Sequence, residues 1–397
     1  MPVPPVEAGK KRASPPKGAD VRTSDDGPTK GQANTTVGDT HANAGQSSAC
    51  RKPTLEDQIA SYRLMLRIRR FEEKAGQLYG LGVIAGFCHL YIGQEAVAAG
   101  LARAWRDGDK TITAYRNHGH ALAAGADVTA MMSELCGRSS GLSAGKAGSV
   151  HLFWPDGNFF GGHGAIGTNA ALGAGLAFSD QYKNTGAVTW CIVGDRAVDH
   201  GQVSEAMVLA SEWSLPIVFV IENNSDLNAD ETTSVAGAKL FQRGQSIGIE
   251  GRAVDGMDVD AVAHAAYDAA EDVRKHARPL ILECRTMQYR GHSMSDPGKY
   301  RNSSATSSAS TLEDPIAKLG HQLLHDGFAE ENLREIDQIV RDEINAATTF
   351  AKSDGEPSAD NLVSDIRAKA RAGQTPYRRI HGETSERAHT QTGDGPS

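Results

Sequence analysis

Cysteine is scarce and unpatterned in this chain. The 397 residues hold five, Cys50, Cys88, Cys136, Cys191 and Cys284, odd in number, far apart and without a CxxC pair. That argues against a disulfide framework or a structural zinc site and for a reducing compartment, the cytoplasm. Long hydrophobic runs are missing too: nothing approaches the ~18 apolar residues of a membrane span. The N-terminus lacks the apolar core of a secretory signal, and Asp20, Asp25, Asp26 and the neighbouring prolines fit poorly with an acid-poor transit peptide. Positive charge is in deficit, with a formal net charge of −8. Nucleic acid is therefore excluded as the main partner, because phosphate binding needs a concentrated basic surface.

Core-forming residues are absent from both ends. Met1 to Ser61 carries no aromatic residue and no Leu or Ile before Leu55, and the closing "HGETSERAHTQTGDGPS" is equally poor. Neither stretch can bury enough apolar area to offset its ordering entropy. Residues 1–52 and 378–397 are expected to be disordered tails, leaving 53–377 as the folded body. Within it, "NSSATSSAST" (302–311) reads as a mobile insert.

The body has the marks of an α/β protein. A first helix is expected to open after Thr54, with acidic residues in its first turn and Leu55, Ile59, Tyr62 and Leu66 at helical spacing. Short apolar runs follow at 110–115 ("KTITAY"), 187–193 ("AVTWCIV"), 216–221 ("PIVFVI") and 279–285 ("PLILECR"), with helical patterns over 170–181 and 201–213 between them. This alternation predicts a mostly parallel central sheet with helices on both faces. Leu333, Ile336, Val340, Ile344 and Ala347 predict a late helix packed on the body.

The chemistry concentrates in "GDRAVDHGQVSEAMVLASEWSLPIVFVIENN", Gly194 to Asn224. It reads as strand end, helix, strand and polar end. In a right-handed βαβ unit Asp195 and Asn224 then leave the sheet at the same carboxyl edge, where open α/β folds hold ligands. Either residue alone is as readily a turn cap or a loop residue. Together, a carboxylate and a carboxamide oxygen suit a hard cation such as Mg²⁺ or Ca²⁺, and the following helix N-terminus favours anions.

Gly-Asp, about 26 residues, then Asn-Asn after an apolar strand resembles the thiamine diphosphate signature. "GFCHLYIGQEAV" (86–97), "YRNHGH" (115–120), "GGHGAIG" (161–167), "VDGMDV" (254–259) and "YRGHSMSDPGKYR" (289–301) narrow the resemblance, over about residues 54–353, to the alpha subunit of the heterotetrameric pyruvate dehydrogenase first component. "GHGAIG" also spells the GxGxxG dinucleotide fingerprint. With "HLFWPDGNFF" read as loop, no strand precedes it, and NAD is set aside.

The resemblance implies a thiamine-diphosphate-binding fold with thiamine diphosphate and Mg²⁺ as cofactors. It implies a beta subunit as partner in a heterotetramer, which brings the activating glutamate, and pyruvate as substrate, with the acetyl group passed to the lipoyl arm of a dihydrolipoamide acetyltransferase. Tyr115 and Arg116 match the pair that holds the diphosphate, Arg supplying a planar donor fork. Gly164 and Ile166 match positions facing the aminopyrimidine, and His89 and His292 match two histidines near the reacting carbon, expected to exchange protons near neutral pH. Asp195 and Asn224, with the carbonyl at Asp226, match the metal ligands. Arg196 and Ala197 lie in the cofactor-binding turn.

The sequence departs from the family at that turn. Gly-Asp-Arg replaces Gly-Asp-Gly, and Asp199 and Asp226 bring extra negative charge. Arg196 is thus a candidate counter-charge for Asp199 or Asp226, one pair at ~4 Å being worth ~4 kcal/mol in partly solvated protein. The alternatives to a pyruvate-specific subunit are the alpha subunit of a related 2-oxo acid or acetoin dehydrogenase, and a degenerate paralogue that keeps the fold and the beta-subunit interface.

Overall fold

The computed structural model describes residues 52–224, 239–296 and 314–361. The two tails, except Lys52 at the boundary, and also the serine-rich insert, Asp226 and residues 362–377 lie outside the described residues.

Six parallel strands form one sheet: β1 (Lys110–Ala114), β2 (Phe159–His163), β3 (Thr189–Gly194), β4 (Ile217–Asn223), β5 (Glu250–Asp255) and β6 (Leu280–Arg285), in the order β2-β1-β3-β4-β6-β5. The four strands expected from apolar runs are all present. Their alternation sorts the core into two layers, because neighbouring side chains on a strand point to opposite faces. Cys191 and Val193 of β3, with Ile217, Phe219 and Ile221 of β4, pack under α5 (Thr168–Lys183) and α6 (Gly201–Glu212). Trp190, Ile192, Val218 and Val220 pack on the other face against α2 (Glu95–Ala104) and α7 (Val259–His276). At ~1.5–3 kcal/mol for each fully buried large side chain, these layers dominate the favourable side of folding. Gly100 brings α2 against α7, since a Cβ there would lie 2.6 Å from a Val262 methyl carbon.

A third apolar cluster lies under the long helix α1 (Leu55–Gly80), which Thr54 caps as expected, its side chain and that of Asp57 forming a capping box. Its partners are α3 (His118–Ala123), α4 (Val128–Leu135), α8 (Pro315–His325) and α9 (Glu330–Ser353), the last carrying the Leu333–Ala347 stripe inward. No described helix is long and apolar enough to cross a membrane. Cys88, Cys136, Cys191 and Cys284 are all buried free thiols.

One expectation is corrected. "NFF" is not all loop: Phe159–His163 forms β2, and the chain runs from it through Gly164–Gly167 into α5, so a strand does precede the glycine motif. What separates it from a dinucleotide fold is placement. β2 is the outermost strand, and β1 lies between it and β3, the strand that follows α5, whereas a dinucleotide crevice opens where a central strand order reverses.

Candidate active site

Because the strands are parallel, their carboxyl ends share one edge, and every predicted site residue within the described residues lies just beyond it. Tyr115 and Arg116 follow β1, Gly164 and Ile166 follow β2, and Asp195, Arg196 and Ala197 form a 3-10 turn after β3. Asn224 follows β4, and His292 lies seven residues past the end of β6. Gly194 pairs with Glu222 across β3 and β4, so Asp195 and Asn224 leave adjacent strands within one register step of the same level.

His89 comes from the segment before α2 and meets two of these residues. Its ring centroid is 4.4 Å from that of Tyr115 and 5.3 Å from that of His292, and the Tyr115 hydroxyl is 3.4 Å from His292 Nε2. Arg116 ties the group together, donating to the carbonyls of Leu90 and of His292, the second at 2.8 Å. Asp296 accepts the His292 backbone N–H at 2.8 Å.

The electrostatics favour anions. Burial first, then the charges of Arg116, His292 and His118, push the His89 pKa down to about 3. Burial also lowers His292, helped by Arg116 and Arg196 and opposed by Asp296 and Asp195. Both rings are neutral at pH 7, so the expectation of near-neutral titration is corrected for His89: burial beside the fixed charge of Arg116 makes its imidazolium too costly. Burial raises the Asp195 pKa, against hydrogen bonding to backbone N–H groups and the nearby Arg196 and Arg116.

Arg196 does not offset Asp199, whose carboxylate is paired with Arg243. Nor does the turn demand glycine: Arg196 has no positive φ and its side chain is exposed. Its charge reaches Asp195, Tyr115 and His292.

Three buried groups beneath this edge were not anticipated. Tyr91 donates its hydroxyl to Glu222, and His120 Nε2 lies 3.0 Å from both. His120 Nδ1 is buried without a partner, so the ring's hydrogen bonding runs through Nε2 alone. His118 bridges Glu72 at 2.9 Å and the Ser149 hydroxyl at 2.9 Å. Glu134 of α4 accepts four backbone N–H groups of the loop 143–148. His118 and His120 lie inside "YRNHGH" (115–120), but that string does not show their partners.

The residues present fit an anionic cofactor with a metal. His89 Nδ1 is buried without a hydrogen-bond partner next to the Tyr115 ring, a polar atom waiting for a ligand. α5 and α6 both start without a side-chain cap, leaving N–H groups for an anion. Among the described residues no group of three or more His, Cys, Asp or Glu gathers as a metal site. Asp195 and Asn224 offer a carboxylate and a carboxamide oxygen that could hold a cation at this edge, a donor set that would leave room for phosphate and water, as Mg²⁺ prefers.

The family described as "Dehydrogenase E1 component" matches residues 63–360. The "Pyruvate dehydrogenase E1 component subunit alpha" of Rhizobium meliloti (strain 1021) is 48% identical over 313 residues, 78% of this chain and 90% of its own. The proteins of the same name from Zymomonas mobilis (strain ATCC 31821 / ZM4 / CP4) and Rickettsia prowazekii (strain Madrid E) are 46% identical over 313 residues and 44% over 317, covering 88% and 97% of those proteins. The chain belongs to the dehydrogenase E1 component family.

Proposed function

We propose that this chain is the alpha subunit of a pyruvate dehydrogenase E1 component, acting with a beta subunit in an α₂β₂ heterotetramer. It takes part in oxidative decarboxylation of pyruvate, with the acetyl group passing to a lipoyl group on a partner acetyltransferase. Thiamine diphosphate, held with Mg²⁺, supplies the electron sink for that decarboxylation. The observation that carries the reading is the cluster of His89, Tyr115 and His292 locked by Arg116, on a chain 48% identical to a pyruvate dehydrogenase alpha subunit. A reducing, cytoplasmic setting fits the four buried free thiols.

Each residue has a task that follows from its surroundings. Tyr115, Arg116 and Arg196 hold the diphosphate: Arg116 spends two of its N–H donors on carbonyls and keeps the rest of its fork, while Arg196 brings an exposed charge. Gly164 and Ile166 face the aminopyrimidine, the glycine packed where a Cβ would lie 3.0 Å from the His151 ring and Ile166 offering an exposed apolar surface. Asp195 and Asn224 hold the metal, with a backbone carbonyl at Asp226, and Ala197 lines the turn. His89 and His292, both neutral, orient pyruvate by hydrogen bonds and take up a proton only when negative charge develops between them.

The test is a titration of the copurified alpha and beta chains with thiamine diphosphate and Mg²⁺, then pyruvate-dependent acetylation of a lipoyl domain. Saturable cofactor binding with turnover on pyruvate is expected. Turnover only on a branched-chain 2-oxo acid or acetoin would reassign the substrate, and no cofactor binding would leave a subunit that has lost the chemistry.

A further inference from the structure

Thr286 is the first residue after β6, and it faces the end of β4. Its backbone N–H donates to the carbonyl of Asn223 at 2.7 Å, which carries the pairing of these strands one step past their ends. Its hydroxyl oxygen lies 2.7 Å from Asn224 Oδ1 and 3.2 Å from the same Asn223 carbonyl. Gln94, on the segment leading into α2, reaches the hydroxyl from behind, Nε2 to Oγ1 at 3.4 Å.

A carboxamide is nearly two-fold symmetric in shape, so only its hydrogen bonds decide which end faces which way. Thr286 has one hydroxyl proton, and the carbonyl of Asn223 already accepts the backbone N–H. The proton therefore goes to the nearer oxygen, Oδ1 of Asn224. An inverted Asn224 would put its NH₂ against this hydroxyl and force the proton onto the longer contact. Thr286 and Gln94 are both completely buried, so no water replaces either partner. Gln94 Oε1 is itself buried without a partner, an uncompensated desolvation borne by a side chain whose other end supports Thr286.

We propose that Thr286, backed by Gln94, is a positioning residue for the divalent cation. Its hydroxyl fixes the carboxamide of Asn224 so that the oxygen, with its second lone pair, and not the NH₂ group, is the ligand atom. This rests on Asn224 being a metal ligand, as proposed above. Threonine suits the task because its β-branched side chain has few χ1 choices.

The test compares wild type, Thr286→Val and Thr286→Ser, each as the full chain with its beta partner. Calorimetry measures thiamine diphosphate binding at fixed Mg²⁺, and electron paramagnetic resonance counts free Mn²⁺ in the presence of the cofactor. Thr286→Val, isosteric but without the hydroxyl, should weaken metal-dependent cofactor binding and Mn²⁺ binding by about 10–100-fold, the usual cost of losing a group that orients a ligand. Thr286→Ser should stay within about 4-fold of wild type, the equivalent of one methyl contact. Wild-type affinity in the valine variant overturns the inference while leaving the proposed function standing. Equal damage from valine and serine also overturns it, because the methyl packing and not the hydroxyl would then matter. A wild-type complex that binds neither Mn²⁺ nor cofactor overturns both.

Discussion

Replacing Glu134 by glutamine should destabilise the subunit far more than a change of one atom suggests. Glu134 is completely buried. Its Oε2 accepts the N–H groups of Ser143 and Gly145 at 2.7 and 2.9 Å, and its Oε1 those of Ala147 and Gly148 at 2.7 and 3.1 Å. The loop reaches around the carboxylate only by placing Ala144, Gly145 and Gly148 at positive φ, the alanine at a steric cost. Glutamine would keep one oxygen and turn an NH₂ group toward two N–H donors. Two partly buried donors then lose their partner; the ~1–3 kcal/mol of a fully buried group is the ceiling for each, so at most about 2–6 kcal/mol in all, before the weakening of the remaining two from charged to neutral bonds. At roughly 2–4 °C per kcal/mol, a mid-range loss of about 4 kcal/mol lowers the melting temperature by about 8–16 °C. The loop ends on Ser149, which bonds His118 and Asn117 beside Arg116. The same variant should therefore expose residues 139–148 to limited proteolysis and weaken cofactor binding. A Glu134→Gln complex that melts within about 2 °C of wild type, with an unchanged cleavage pattern, would refute the reasoning.

Legibility in the sequence followed burial. β3, β4 and β6 are enclosed on both faces and announce themselves as unbroken apolar runs, and the capping box at Thr54 is a local pattern readable from four letters. The edge strands are not readable in this way. β5 is "EGRAVD", with most of its residues partly or fully exposed, and β2 is "FFGGH", where two glycines erase β propensity. The site divides along the same line. His89, Tyr115, Arg116, Asp195 and His292 sit in motif strings and were found there. The strings that hold Tyr91, His120 and Glu222 do not show that the three meet, because their meaning is a contact across 131 residues of chain, between Tyr91 and Glu222. Glu134 was invisible for another reason: its partners are backbone groups, which every sequence has. The pKa of His89 could not be read either, since it is set by burial and by cations that reach it through the fold.

The chain expressed without a beta partner should show no pyruvate decarboxylation, because the activating glutamate is expected in trans; activity of the isolated chain would remove the heterotetramer from the proposal. His292→Ala should lower turnover much more than cofactor affinity, measured by kcat and by calorimetry, and a comparable loss in both would reassign it to ordering its loop. His89 predicts a pH dependence of stability. Its folded pKa of about 3 lies below the ~6.5 of the unfolded chain, so the unfolded state takes up the proton first, and stability present above pH ~6.5 is lost as pH falls toward 3. Thermal melts at pH 7.5 and 5 should therefore converge in His89→Gln, and an unchanged gap would show that the ring is not a source of the slope. Arg196 separates a working site from a degenerate one. Its backbone has no positive φ, so glycine would bring no conformational relief, and Asp199 has Arg243 as its counter-charge. What Arg196→Gly removes is a cation whose field reaches Asp195, Tyr115 and His292. Affinity for thiamine diphosphate should fall in Arg196→Gly, recover in Arg196→Lys, and differ least from wild type at high salt, where an exposed charge is screened. If Arg196→Gly instead binds the cofactor more tightly, the arginine obstructs the diphosphate and the turn has drifted from its task.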